Sequence, residues 1–289
     1  MDGTNEHYHN DFSSISKTML SCYHTSVADF HRYYVARIAK PPQPKAAVIG
    51  SIAHTVLLDG RQLNDVACVY PQECLKSNGA INPKPSNEWI ATLEPWQYPV
   101  KQKVREQVAA MLGEIRKHEV VSLVESATAR EHPVYWHDES SGLDCRMRAD
   151  FFHDMDEYAI CYDLKFTAQI YAFPNVMRSF KYWMQDAHYS RGLGQHLGKP
   201  VKFVFFAIQD TPPFQVFRYE YDQLSRETYA AKTCKLLREL ADRYETNDWV
   251  DERAKKTNYV SAKPWEFEEE DDNLNWEGIE EETEPAKPF

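Results

Sequence analysis

No segment of this chain stays apolar for the roughly 18–20 residues that a bilayer-spanning helix requires. Its opening, MDGTNEHYHNDF, lacks the basic-then-apolar order of a secretory leader, so a soluble, cytoplasmic protein is expected. Cysteine is sparse and scattered: Cys22, Cys68, Cys74, Cys145, Cys161 and Cys234 include no CxxC pair. Zinc-ribbon spacing is thereby excluded, and a disulfide framework is not expected in a chain of 289 residues. Glycine numbers only 10 and nowhere forms GxxxxGK[ST], which excludes a P-loop. Net positive charge is also missing, since the formal charge is −11. That excess argues against a nucleic-acid partner until it is located. Glu266–Phe289 holds eleven acidic residues against Lys287 alone, leaving residues 1–265 close to neutral. Blocks of like charge repel and extend, so a folded domain over 1–265 and an acidic tail over 266–289 are expected.

What is present begins with helical patterning. Ser14-Ile-Ser16-Lys-Thr-Met-Leu supplies an N-cap serine and apolar residues at helical spacing, and Pro41-Pro42 stops propagation. A second apolar helix, AAVIGSIAHTVLL, covers 46–58 and has small residues for close packing. A Pro/Asn/Gly-rich loop over 71–85 leads to a long amphipathic helix over 100–124. The period then falls to two: 132–137, 143–152 and 158–166 read as strands joined by the hairpin turns DESSG and HDMDE. A helix over 173–197, strands over 201–208 and 214–219, and a helix over 223–244 complete an α/β domain with a central mixed sheet flanked by helices.

Asp150 and the triplet Asp163-Leu164-Lys165 carry the chemistry. Strand side chains alternate, so Asp163 and Lys165 share a face, and carboxylates on neighbouring strands can hold a hard divalent cation between them. A bound cation relieves their repulsion and polarises a phosphoryl oxygen, while Lys165 adds a compact positive charge. An Asp–Lys salt bridge is the plainer alternative for that pair. Arg146 and Arg148 alternate with Asp150, either as phosphate clamps or as partners of nearby acids. His54, on an apolar helix, is either a ligand or a satisfied core histidine. Gln185 and Tyr189, four apart, share one helix face, as site support or as packing.

Taken in order, Ile15-Ser16-Lys17, IGSIAHTVLL, RMRAD, YDLKFTA and QDAHYS resemble the RecE-type exonucleases. These are phage or prophage enzymes on the RecB-nuclease branch of the PD-(D/E)xK superfamily, and the likeness covers about residues 8–250. It implies a restriction-endonuclease-like core, metal ligation by His54, Asp150 and Asp163, and catalysis by Asp150, Asp163 and Lys165. It also implies support of site and DNA by Gln185 and Tyr189, with Ser16 and Lys17 near a DNA end. The activity implied is Mg²⁺-dependent (Mn²⁺ substituting) 5′→3′ degradation of double-stranded DNA ends in the bacterial host's cytoplasm. The 3′ single strands would pass to an annealing partner during recombination. Such proteins form homo-oligomeric rings around DNA. Iron–sulfur relatives need a late cluster of three cysteines, whereas only Cys234 follows the Asp-x-Lys core, so no iron–sulfur cluster is expected. Ala149 replaces the proline that often precedes the first aspartate. The Phe289-terminated tail is similar in style to those of single-stranded-DNA-binding proteins, which dock on partners; a purely solubilising tail is the alternative. A structure-specific endonuclease and an inactive DNA-end-binding protein stay open as rival readings.

Overall fold

The computed structural model describes residues 11–42 and 48–261. The described residues up to Val250 gather into one compact unit, and those from Asp251 onward belong to a second. The described part of the second unit holds a short 3-10 turn, Glu252–Lys255, started by the Asp251 carboxylate accepting from the Arg253 N–H. The acidic tail, with the expectations attached to it, lies outside the described residues. Among the described residues no helix is long and apolar enough to cross a membrane.

The first unit opens with helix α1 (Lys17–Thr25), capped by the Ser16 hydroxyl, which accepts from the Met19 N–H at 3.3 Å. A short α2 (Val27–Phe30) and a π-helical turn (His31–Val35) follow. Helix α3 (Val48–Leu58) approaches the sheet closely through Gly50, where a Cβ would sit 3.1 Å from Phe166 Cβ. After α4 (Leu63–Val66), strand β1 (Ala67–Val69) pairs in parallel with β2 (Tyr98–Val100), and α5 (Pro83–Ile90) lies between them in sequence. The long helix expected over 100–124 is divided into α6 (Gln102–Ile115) and α7 (Glu119–Glu125). His118 takes extended backbone there, and its Nδ1 accepts the Val120 N–H at 3.2 Å, so a fresh cap interrupts the run.

Strands β3 (Ala129–Asp138), β4 (Leu143–Asp154) and β5 (Ala159–Thr167) are successive antiparallel hairpins. The next helical stretch breaks into α8 (Phe173–Ser179) and α9 (Tyr182–Leu197), because Lys181 adopts a left-handed conformation (φ 54°). That crossover returns the chain to β6 (Val201–Gln209), parallel to β5, and β7 (Val216–Tyr219) closes the order β3-β4-β5-β6-β7. Helix α10 (Gln223–Thr246) packs against α9. Pro133 is tolerated within β3 because β3 is an edge strand.

The sheet is covered on both faces. Phe203, Phe205 and Ala207 join the core beneath α1, α9 and α10, while Val204, Phe206 and Ile208 join the core beneath α3, α6 and α7. Strand β6 therefore reads as a nearly continuous apolar run, as a strand buried on both sides does. Strand β4 does not alternate evenly. Cys145, Met147 and Ala149 pack in the first core, yet Phe151 packs in the second and Phe152 in the first. The pleat changes phase at Asp150, beside the residue of β3 whose backbone is left-handed, Glu131 (φ 47°).

Candidate active site

The site forms where β4 and β5 part. Their pairing runs from Asp154–Ala159 to Phe151–Tyr162 and ends before Asp150 and Asp163. At that opening the Leu164 N–H donates to Asp150 Oδ2 at 2.7 Å, so a carboxylate replaces a strand partner. His54 reaches in from α3, with Nε2 2.9 Å from Asp150 Oδ2 and Nδ1 3.3 Å from Glu131 Oε1. The other Glu131 oxygen, Oε2, sits 2.9 Å from Arg148 Nε. A non-glycine residue with positive φ inside a strand is strained, by about 1–3 kcal/mol, and such strain gathers at functional sites.

On β5, Asp163 is buried, Lys165 Nζ lies 2.5 Å from its Oδ2, and Gln185 Nε2 on α9 donates to its Oδ1 at 2.5 Å. Both Asp163 and Lys165 face α9, because Ala159 and Cys161, of the same parity, pack in that core. The Lys165 ammonium stands 5.0 Å from the Tyr182 ring centroid. Lys17, on α1, comes to the same ring at 5.9 Å and donates to the Phe180 carbonyl at 3.3 Å.

The charges are steeply tuned. Burial by itself would lower the His54 pKa, but the Asp150 charge and hydrogen bonds to Asp150 and Glu131 lift it to about 10. Burial would raise Asp150, yet the His54 charge and hydrogen bond, together with Lys165 and the Leu164 N–H, hold it below the usual carboxylate range. Asp163 moves the other way: burial lifts it to about 6, with Lys165 pulling down and the Asp150 charge pushing up. Burial and the neighbouring Lys165 charge press Lys17 down to about 8. Burial thus prevails at Asp163 and is outweighed at Asp150, where His54 and the Leu164 N–H add their attraction.

The donor set fits a divalent cation. One ligand atom from each of His54, Glu131 and Asp150 lies within 4.8 Å of the other two, giving one imidazole nitrogen and two carboxylate oxygens. Asp163 stands outside that trio: its Oδ2 is buried, accepts no hydrogen bond of ordinary geometry and faces Lys165. The arrangement can therefore hold a cation at Asp150 and present the Lys165 ammonium close by. That suits an anionic diester.

Residues 13–263 match the family described as a PDDEXK-like domain of unknown function, DUF3799. The chain belongs to that family. The five-stranded mixed sheet and its flanking helices are accordingly the restriction-endonuclease-like core expected from the motifs. The crystal structure of a candidate exonuclease from Eubacterium rectale shares this fold, with a TM-score of 0.57 and 12% identity over 93% of this chain and 99% of that one. The crystal structure of SSO0001 is 20% identical over 46% of this chain and 64% of that one, at a TM-score of 0.27, which carries no structural argument. No curated protein matches the chain.

Within this PDDEXK-like nuclease domain, the residues singled out from sequence divide sharply. His54, Asp150, Asp163, Lys165 and Gln185 meet at the opening, Arg148 reaches it through Glu131, and Lys17 flanks it. Arg146 does not serve as a phosphate clamp. It is buried beneath the N-terminal segment, bonded to the Asp11 and Ser14 carbonyls and paired with the Asp11 carboxylate. The cause is the bridge of Ile15 onto Cys145, which lays that segment over the start of β4. Ser16 acts as the α1 cap, and Tyr189 packs on Phe203 with ring centroids 6.0 Å apart. Glu131 and Tyr182 were not read from sequence. For Glu131 a signal existed: pairing back from the DESSG turn, in register with Asp138–Leu143, sets residue 131 opposite Asp150.

Proposed function

We propose that this chain is a Mg²⁺-dependent double-stranded DNA exonuclease of RecE type, working 5′→3′ from duplex ends to leave 3′ single strands for annealing during recombination. The observation that carries it is the opening between β4 and β5, where His54, Glu131 and Asp150 converge beside the Asp163–Lys165 pair. His54, Glu131 and Asp150 would hold Mg²⁺ or Mn²⁺, with Asp163 adjacent. When bound, the ion supplies Lewis-acid charge to the phosphoryl group. Lys165 orients a non-bridging phosphate oxygen and offsets the charge that grows on it. Gln185 fixes the Asp163 carboxylate, and Tyr182 keeps the Lys165 ammonium against its ring face. Lys17 adds a second cation on the flank that the diester approaches.

The reading extends to a cytoplasmic enzyme of a phage-bearing bacterial cell, assembled as a homo-oligomeric ring and passing its product to an annealing protein. Near-neutral charge over residues 1–265 supports enclosure of DNA, in place of a broadly basic surface, as the source of processivity. The test is digestion of linear duplex labelled at either the 5′ or the 3′ end, with Mg²⁺ or with EDTA. Rapid Mg²⁺-dependent loss of the 5′ label, with the 3′ label kept on long single strands, is expected. Internal cuts would make it an endonuclease, and binding without cleavage an inactive end-binding protein.

A further inference from the structure

Beside the carboxylate–imidazole cluster lies a cavity of 620 Å³ that the chemistry above leaves unused. His54 and Glu131 form the wall it shares with the site, and Arg61, Trp96, Tyr98 and Arg148 line the rest that matters here. Neither Lys165 nor Tyr182 lines it, so it opens from the cluster on a flank of its own. The polar and aromatic groups come from well-separated parts of the chain: Arg61 follows α3, Trp96 and Tyr98 border β2, and Arg148 stands on β4.

Three features indicate what fits. The Arg61 guanidinium carbon lies over the Trp96 ring, 3.8 Å from its centroid, so a cation and an indole face form one platform. The volume lies within the range of about 300–1,000 Å³ typical of small-ligand pockets, room for one nucleotide but not for a duplex. Asp59 and Glu131 set two carboxylates against the Arg61 and Arg148 guanidiniums and the His54 ring, so the wall carries only a small positive excess. Recognition would then come from stacking, which any base satisfies because every base has a π-face.

We propose that this cavity is a one-nucleotide pocket, in which the terminal nucleotide, unpaired from its partner strand, stacks on Trp96 and Arg61 while its diester reaches the cluster at His54. The inference rests on the nuclease reading and deepens it. The step served is hydrolysis: the water oxygen bonds to phosphorus, the bridging P–O bond breaks, and the leaving oxygen takes a proton. A deoxynucleoside monophosphate is then released in each cycle.

Calorimetric titration of the full chain with deoxyadenosine 5′-monophosphate, and separately with inorganic phosphate, tests it without relying on turnover. Wild-type protein should bind the nucleotide more tightly than phosphate. Trp96→Ala should weaken nucleotide binding about tenfold, and Trp96→Phe should restore most of it, which separates lost stacking from lost folding. On duplex DNA, Trp96→Ala should raise KM more than it lowers kcat, with mononucleotides as the wild-type product. If wild type digests duplex but the nucleotide does not bind, or binds Trp96→Ala equally well, the pocket is overturned while the nuclease reading stands. If Trp96-dependent binding is found and neither Mg²⁺ nor Mn²⁺ supports cleavage, the nuclease reading fails and the nucleotide site remains.

Discussion

At the scale of single residues, Glu131 does three things: it braces His54 Nδ1, pairs with Arg148, and takes a left-handed backbone where β3 faces Asp150. A carboxylate that both orients an imidazole and offers its own oxygen to a cation resembles the outer partners that tune metal sites, whose loss typically costs about 10–100-fold. Glu131→Gln keeps the size and removes the charge. Its Mn²⁺ affinity, read by calorimetry, should fall within that range while the circular dichroism spectrum stays unchanged. Asp150→Ala, Asp163→Ala and Lys165→Ala are expected to cut Mg²⁺-dependent cleavage by at least about a hundredfold, since each removes charge from the reacting centre. Near-normal turnover in any one of the three would remove that residue from the mechanism.

At the scale of elements, α9 is the part on which site geometry depends most. It carries Gln185 to Asp163 and Tyr182 to Lys165, and it packs on the sheet through His188 and Gly192. A Cβ at Gly192 would meet the Trp136 ring at 2.5–2.8 Å, so Gly192→Ala forces a large, rigid side chain to move. Overpacking of this kind costs about 1–3 kcal/mol, and a lowered Tm with weakened cleavage is expected. His188 binds the helix to β4 through the Arg146 carbonyl at 3.1 Å. Burial, against the opposing pull of its backbone hydrogen bonds, pushes it from 6.5 down to about 4. The unfolded chain therefore takes up this proton first. The stability contributed is complete above pH 6.5 and drains as pH falls toward 4, by about 3 kcal/mol in all. Urea titrations between pH 7 and pH 4 should show that slope, and His188→Gln should flatten it.

At the scale of the whole molecule, charge is distributed along the chain rather than averaged over it. Removing residues 266–289 deletes eleven acids and one lysine and takes the formal charge from −11 to about −1. A truncated protein should associate with duplex DNA faster and more tightly at low salt. The difference should vanish by about 1 M salt, where the Debye length falls to about 3 Å. A salt-independent difference would instead mean that the tail touches DNA or protein through specific contacts.

Much of this was legible in the sequence because the relevant physics is local. Period-two patterning marks β3 to β5, and the turn DESSG sets the hairpin register. The Asp-x-Lys spacing alone puts Asp163 and Lys165 on one face of β5. Other features depend on contacts between distant segments and leave no local trace. Strands of three residues, as in β1 and β2, are too short to alternate visibly, and they bring Trp96 and Tyr98 to the cavity wall. Arg146 shares a strand with Asp150 and Arg148, but the bridge between Ile15 and Cys145 buries it. The pleat change at Asp150 likewise needs β3, β4 and β5 assembled together. The order of chemical groups along the chain thus determined the fold class and named five of the residues that meet at the opening. Only the tertiary structure joined Glu131 to His54 and withdrew Arg146, because contacts between distant segments set which side chains of a strand reach the site.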